Sequence, residues 1–203
     1  MIAVTQPDPV TVNDVLDLEL SGRSQSEIAK TLVEWSANLG SDEFQEYSPA
    51  SLLVTAAEHL DMGGLDGADE LLDRAEKSAG HEQIDFFEAR VAHAFATGDT
   101  AVALKLEEAS RRTQVRRYQT YEMMADILDA NGHYERALRW SNIGLRHLDD
   151  NHDADTAYED LLIVRYRMRR DQQAAIDGYD QEAELILAER KGRADEGRLL
   201  PES

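Results

Sequence analysis

The chain has 203 residues, of which 42% are hydrophobic, and this is enough to build the core of one domain or one short repeat array. Its 41 acidic residues outnumber its 21 basic residues, and the formal charge of −20 opposes contact with nucleic-acid phosphates and with anionic lipid headgroups. The chain has no cysteine, which excludes disulfides, thiolate nucleophiles and cysteine-ligated metals. We therefore expect a partner that is neither nucleic acid nor membrane.

The start of the chain does not resemble a targeting signal. Its first ten residues contain no basic side chain and only a short apolar run, unlike a secretory signal peptide. No later window is long and apolar enough to predict a membrane-spanning helix. These two features predict a cytoplasmic protein.

Residues 1–47 predict a helical hairpin that caps the rest of the chain. The first helix is expected over residues 11–20, where apolar residues recur at helical spacing. The second helix is expected to begin after Ser24, which forms a capping box with Glu27, and to end near Asn38.

The second of these helices also permits another interpretation. Residues 21–38 resemble the first helix of a helix-turn-helix, with Ile28 and Ala29 as the pair that would pack on a recognition helix. The sequence continues as a helix where that motif needs a glycine turn, and Glu34 adds negative charge to the surface. The capped hairpin is the preferred interpretation, and a regulator with a vestigial helix-turn-helix is the alternative.

Helical periodicity continues along the rest of the chain. After an acidic loop over residues 40–47, Ser48 as N-cap and Pro49 at the first helical position begin a new helix. No proline interrupts the sequence between Pro49 and Pro201, and the alternating pattern of half-buried strands is missing. We therefore predict an all-α fold.

A repeat underlies this helical pattern. Alanines at 68, 103 and 137 are 35 and 34 residues apart, and each lies five residues after a glycine, Gly63, Gly98 or Gly132. Glycine can end one helix, and alanine fits where two helices cross closely. Each unit is therefore expected to be a pair of antiparallel helices.

This pattern resembles the tetratricopeptide repeat (TPR) over about residues 48–190. The resemblance implies four repeats stacked as a right-handed superhelix of antiparallel helical hairpins, with residues 191–203 as a flexible tail. Two positions depart from the pattern, because Glu107 and Ser141 stand where a large apolar residue is usual.

The resemblance also implies a concave groove, lined by the first helix of each repeat, that binds an extended or helical segment of a partner. The lining residues in the repeat register are Leu53, Leu60, Glu88, Phe95, Glu122, Met123, Asp126, Asp129 and Arg167, with Val54, Ala57, Ala92, Asp160 and Val164 beside them. Such an acidic and apolar groove predicts a basic amphipathic partner segment. The alternative is that these carboxylates are ordinary solvent-facing groups.

No motif of a common enzyme class occurs in the chain. The sequence lacks the phosphate-binding loop GxxxxGK, the nucleophile elbow GxSxG and the zinc motif HExxH. Residues 63–67 are rich in glycine but follow a helical pattern, so we interpret them as a turn between helices. We therefore predict a scaffold or adaptor that has no catalytic activity and no cofactor.

An acidic run over residues 149–160 has oxygen-bearing side chains at the spacing of a calcium-binding loop. Ala154 replaces the glycine that such a loop needs, and Asp160 replaces its long bidentate glutamate. A polar connection with helix-capping aspartates is the preferred interpretation, and a weak cation site is the alternative. His147 and His152 flank the run but lack a third nitrogen ligand nearby in the sequence.

Arginines concentrate in two clusters. Arginine forks suit carboxylate recognition, so the clusters indicate either contact with an acidic partner or pairing within the chain, and the surplus of acid favours the second interpretation. The members are Arg111, Arg112, Arg116 and Arg117 in one cluster and Arg165, Arg167, Arg169 and Arg170 in the other.

Overall fold

A computed structural model describes residues 9–39, 46–79, 86–112, 118–149 and 155–198. These residues form ten α-helices and contain no β-strand, which confirms the predicted all-α class. In chain order the helices are α1 (Val12–Leu20), α2 (Gln25–Asn38), α3 (Pro49–Met62), α4 (Ala68–Ser78), α5 (Phe86–Ala96), α6 (Thr100–Arg112), α7 (Tyr118–Ala130), α8 (Tyr134–Asp149), α9 (Asp155–Asp171) and α10 (Gly178–Arg198). Among the described helices, none is both long and apolar enough to cross a membrane.

The second and third helices begin where their capping residues predict. Ser24 caps α2 through the predicted capping box with Glu27, whereas Thr11, which was expected inside the first helix, is the N-cap of α1. Ser48 caps α3, with Pro49 in its first turn. Residues 25–38 form one uninterrupted helix that packs against α3, so no turn follows the Ile28–Ala29 pair.

The turns that close the helical hairpins share one hydrogen-bond pattern. At each turn one backbone N–H donates to the carbonyl three residues earlier, and the next N–H donates to the carbonyl five residues before it. The residue whose N–H makes the first of these two bonds has a left-handed backbone conformation. In the four turns this residue is Gly64, Gly98, Gly132 and Gln173. The first of these is Gly64 and not the predicted Gly63, which makes the first three turns 34 residues apart.

The chain divides into two compact units, residues 1–113 with α1 to α6 and residues 114–203 with α7 to α10. In the first unit, α2, α3, α4 and α5 pack in succession around a buried apolar cluster that includes Ile28, Leu32, Leu52 and Leu72. The alanines predicted at helix crossings, Ala68 and Ala103, are buried there.

The second unit is built around larger side chains. Its buried residues include Trp140, Met124, Leu128, Leu145, Leu161 and Met168. Ala137, predicted at a helix crossing, is also buried. Gly144 of α8 is packed so closely that an added Cβ would lie 2.5 Å from Leu161 and 2.7 Å from Tyr121. The helices α7, α8 and α9 therefore meet at a position that only glycine fits.

The two polar residues at expected apolar positions are fully buried. Glu107 lies 3.5 Å from the Nε atom of Arg111, one helical turn later. The hydroxyl of Ser141 donates a hydrogen bond of 3.0 Å to the carbonyl of Ala137. Local contacts within the same helix thus accommodate both departures from the repeat pattern.

The last helix is longer than the sequence predicts. Helix α10 continues to Arg198, past the limit at residue 190 that was expected for the repeats. Five of the eight added residues are Ala, Arg, Lys or Glu, which favour helix even without an apolar stripe, and no proline occurs before Pro201.

Candidate functional site

The strongest candidate site lies in the second unit, where α7 packs against α9. Three carboxylates of α7, Glu122, Asp126 and Asp129, lie near Arg167 of α9, and Asp160 of α9 lies near Glu122. These five residues are called the acidic face below. The guanidinium of Arg167 donates a hydrogen bond of 2.5 Å to the Oδ1 atom of Asp126. Four of the predicted groove residues, Glu122, Asp126, Asp129 and Arg167, are thus brought together.

The acidic face carries more negative charge than its cation compensates. Burial raises the pKa of Glu122, and the carboxylates of Asp160 and Asp126 raise it further. Burial also raises the pKa of Asp129, to which Asp171 and Asp126 add although Arg167 opposes them. A second cation placed here would relieve this repulsion.

One edge of the acidic face is already paired within the unit. Arg190 of α10 lies 2.9 Å from Asp160 and 2.8 Å from Glu159. Met123 of α7 is 39% exposed and lies three residues before Asp126, so a flexible apolar side chain neighbours that carboxylate on the helix surface. The site therefore combines an excess of acid with one adaptable apolar contact.

The predicted groove residues of the first unit are less suited to a binding surface. Leu53 is only 4% exposed and belongs to the core, which corrects its assignment to the groove. Leu60 packs against the same core, because the turn after α3 folds back over it. Glu88 and Phe95 of α5 are half-buried. The repeat register places a residue on a helix face, but the packing of α2 and α4 on α3 decides how much of that face is covered.

Sequence reasoning missed a polar cluster in the first unit. The ring of His59, buried in α3, lies with Nε2 3.1 Å from the carboxylate of Glu19 and with Nδ1 2.5 Å from the amide oxygen of Gln25. His93 of α5 lies 2.9 Å from Asp61 of α3. The sequence signal was a spacing of 34 residues, from Gln25 to His59 and again from His59 to His93, which matches the repeat period. These contacts join α1, α2, α3 and α5, so the cluster serves to connect helices.

Three arginines of the second cluster, Arg165, Arg167 and Arg169, pair within the chain, as the preferred interpretation predicted. Arg165 donates to Asn142, Asp177 and Asp180, and Arg169 also binds Asp180. A shallow cleft lined by Arg165, Asp177, Gly178, Tyr179 and Glu182 opens beside this network. Because three side chains already engage the guanidinium of Arg165, the cleft offers little binding capacity for an anion.

The first arginine cluster and the acidic run are described only in part. Arg111 and Arg112 pair with Glu107 and Glu108, whereas Arg116 and Arg117 lie outside the described residues. Residues 150–154 of the acidic run, including His152, also lie outside them. Within the described part of the chain, no group of three or more His, Asp or Glu side chains is arranged to hold a metal ion.

Comparisons with protein-family models, with curated protein sequences and with solved structures found no match to this chain. The case for a function therefore depends on the geometry of the site itself.

Proposed function

We propose that this chain is a non-catalytic protein-interaction module that binds a basic segment of a partner protein on the acidic face. The observation that carries the proposal is the excess of carboxylates around Arg167. Lysine or arginine side chains of a partner would lower the free energy of these carboxylates by pairing with them.

The shape of the site supports a protein segment as the ligand. The acidic face spans two neighbouring helices, and Glu122, Asp126 and Asp129 follow one another at intervals of four and three residues along α7. Residues at these intervals share one face of a helix. A partner segment lying along α7 could therefore meet all three carboxylates, with an apolar side chain against Met123.

The repeat architecture is part of the same proposal. We infer that the helical hairpins are of tetratricopeptide type and stack as a right-handed superhelix, in which α3, α5, α7 and α9 are the first helices of four repeats. Support comes from the hydrogen-bond pattern that the four turns share and from the 34-residue spacing of the first three. Stacked hairpins of this kind present their first helices on one surface.

Affinity capture with three forms of the full chain tests this function. The first form is the natural chain, and the second is the double variant Glu122→Gln, Asp126→Asn, which removes two charges from the acidic face. The matched control is Asp66→Asn, Glu70→Gln, which removes the same two charges at the same four-residue spacing from exposed positions of the first unit. Captured proteins are identified by mass spectrometry.

We expect a partner that binds the natural chain and the control but is lost from the Glu122, Asp126 variant. The amide substitutions should leave the fold intact, because Glu122 carries an unfavourable charge in the folded chain. A partner retained equally by all three forms would refute the acidic face as the binding site. Loss of the partner from the Asp66, Glu70 control as well as from the Glu122, Asp126 variant would mean that binding depends on the net charge of the chain and not on the acidic face.

A further inference from the structure

The N-terminal helix carries a second surface that the acidic face does not explain. Val12, Leu16 and Leu20 of α1 are 55%, 46% and 74% exposed. They are spaced four residues apart, so they form one continuous apolar stripe along the helix. Exposed aliphatic residues are common when they occur singly, whereas three in line on a nine-residue helix form a patch.

The opposite side of α1 holds this stripe in place. Val15 and Leu18 are buried in the core of the first unit. The helix is capped at its start by Thr11 and Asp14, which exchange hydrogen bonds in a capping box. Because α1 is folded and anchored without a partner, a ligand that binds the stripe pays little for ordering it.

The charges around the stripe define the chemistry of its partner. Asp17 and Glu19 lie on its two sides, since they follow Leu16 by one and three residues on a helix that turns about 100° per residue. At the start of the helix, the carboxylate of Glu46 accepts a hydrogen bond of 2.6 Å from the backbone N–H of Val12. Helix α1 itself contains no basic side chain. The apolar stripe is therefore bordered by acid.

We propose that α1 is a docking surface for a basic amphipathic helix of a partner protein. The apolar side of the partner helix would cover Val12, Leu16 and Leu20, and its lysines or arginines would meet Asp17 and the exposed part of Glu19, whose Oε1 atom also contacts His59. A second copy of this chain fits less well, because it would bring the same carboxylates together between two molecules of charge −20. This surface lies in the first unit and is independent of the proposed function of the acidic face.

A spin-labelled peptide provides a test that reports the position of binding. The probe is a nitroxide-labelled peptide of about 18 residues, with leucine at every third or fourth position and lysine elsewhere, a length that gives five helical turns. Broadening of backbone amide signals in the ¹⁵N-labelled full chain identifies the helices that the probe approaches. The control probe has glutamate in place of lysine.

Three double variants of the chain separate the alternatives. Leu16→Gln, Leu20→Gln removes the stripe without changing charge. Leu65→Gln, Val102→Gln removes two other exposed aliphatic side chains of the first unit. Glu122→Gln, Asp126→Asn removes charge from the acidic face. Binding of the probe at the acidic face broadens the amides of α7, so failure of the proposed function is distinguished from failure of the α1 proposal.

We expect the lysine probe to broaden the α1 amides of the natural chain and the glutamate probe to leave them sharp. The Leu16, Leu20 variant should lower the affinity of the probe at α1 by about tenfold or more. In the other two variants this affinity should stay within about twofold of that of the natural chain. The proposal is overturned if the α1 amides stay sharp, if the glutamate probe broadens them equally, or if the Leu65, Val102 control weakens binding as much. It is also overturned if sedimentation shows self-association of the natural chain that Leu16→Gln, Leu20→Gln abolishes, because the occupant would then be a second copy.

Discussion

The two units differ in the polar contacts between their helices. In the first unit, His59 faces Glu19, His93 faces Asp61, and Arg90 of α5 pairs with exposed carboxylates of α4. In the second unit, Arg165 and Arg169 face Asp177 and the buried Asp180, and Arg167 faces Asp126. The difference teaches that helical hairpins can be joined by imidazole contacts and exposed ion pairs in one unit and by a buried network of arginine and carboxylate in the other.

The interiors of the two units differ in the same sense. The core of the first unit joins leucine, isoleucine, valine and alanine in one apolar cluster. The second unit buries an ionic network in addition to its apolar core, and in this network Asp180 is only 1% exposed and Arg165 only 5%. Removing one partner of a buried ion pair leaves an uncompensated charge, which makes such a network the more fragile design.

The largest expected effect comes from breaking the buried network. Arg165→Met should lower the free energy of unfolding of the second unit by about 1.5–3 kcal/mol, because Asp177 and the buried Asp180 each lose a charged hydrogen-bond partner, although Arg169 still pairs with Asp180. Arg90→Met is the matched control in the first unit, since Arg90 also contacts three carboxylates, Asp69, Asp73 and Glu76, but these are well exposed. It should cost less than about 1 kcal/mol. Urea unfolding followed by fluorescence distinguishes the units, because Trp35 lies in the first and Trp140 in the second. Equal costs for the two variants would contradict the contrast between buried and exposed charge.

A packing change in the second unit should have the next largest effect. Gly144→Ala places a methyl group where Leu161 and Tyr121 already lie, and we expect it to lower stability by about 1–3 kcal/mol in spite of the better helix propensity of alanine. Gly192→Ala in α10 meets no atom within 4 Å and should be neutral or stabilising by up to about 1 kcal/mol. Thermal unfolding of both variants provides the comparison, and a stabilising Gly144→Ala would show that α7, α8 and α9 are packed less tightly.

The turns offer a reciprocal test of the repeat. Gln173 occupies the left-handed position that Gly98 occupies in the first unit. Gln173→Gly should therefore raise stability and Gly98→Gln should lower it, each by about 1 kcal/mol, because a side chain disfavours this backbone conformation. Opposite shifts of the melting temperature are expected. Shifts of the same sign would mean that the two turns are not equivalent.

Acidification should change in opposite directions the contributions that two carboxyl groups, Glu58 and Asp177, make to the free energy of unfolding. Burial, together with Glu19 and Asp61, raises the pKa of Glu58 in the first unit. Its protonated form is therefore favoured on folding, so the stability that it contributes is present at low pH and is lost as pH rises through the raised pKa. Glu58→Gln should stabilise the chain at neutral pH by about 0.5–2 kcal/mol and have little effect in acid.

The pKa of Asp177 in the second unit is shifted in the opposite direction. The hydrogen bond from Arg165 lowers its pKa below the usual range. Its contribution to stability is present at neutral pH and is lost as pH falls through the lowered pKa. Asp177→Asn should therefore destabilise at pH 7, by about 1 kcal/mol because the group is partly exposed, and less in acid. Unfolding midpoints measured from pH 3 to 7 for both variants check the two signs, and parallel pH curves would contradict them.

Local signals in the sequence predicted the helix starts well. Ser24 and Ser48 cap α2 and α3 as predicted, because a side-chain oxygen that accepts from the backbone N–H groups of the first turn is enough to fix a helix start. The buried alanines at 68, 103 and 137 were also predictable, since the repeat marks the closest crossing of two helices.

Properties that depend on packing between helices were harder to predict. The burial of Leu53 depends on neighbours from α2 and α4, and the pairing of Gln25 with His59 joins residues 34 positions apart. The first unit offers two adjacent glycines, and only the hydrogen bonds of the turn show that Gly64 takes the left-handed position. In the second unit, the structure brings together Glu122, Asp126, Asp129 and Arg167, which the repeat register placed in the groove, because these polar side chains stay at the surface. Their role in binding stays a prediction. The apolar members in the first unit were instead drawn into the core.

The most direct test of the central claim is the affinity of a basic segment for the acidic face. Once affinity capture has identified a partner, its labelled basic segment is titrated by fluorescence anisotropy against the natural chain, the Glu122→Gln, Asp126→Asn variant and the Asp66→Asn, Glu70→Gln control. We predict that the first variant weakens binding by about tenfold or more, that the control changes it by less than about twofold, and that added salt weakens binding to the natural chain. Equal affinity of all three forms for the segment would contradict the claim that the acidic face recognises a basic partner.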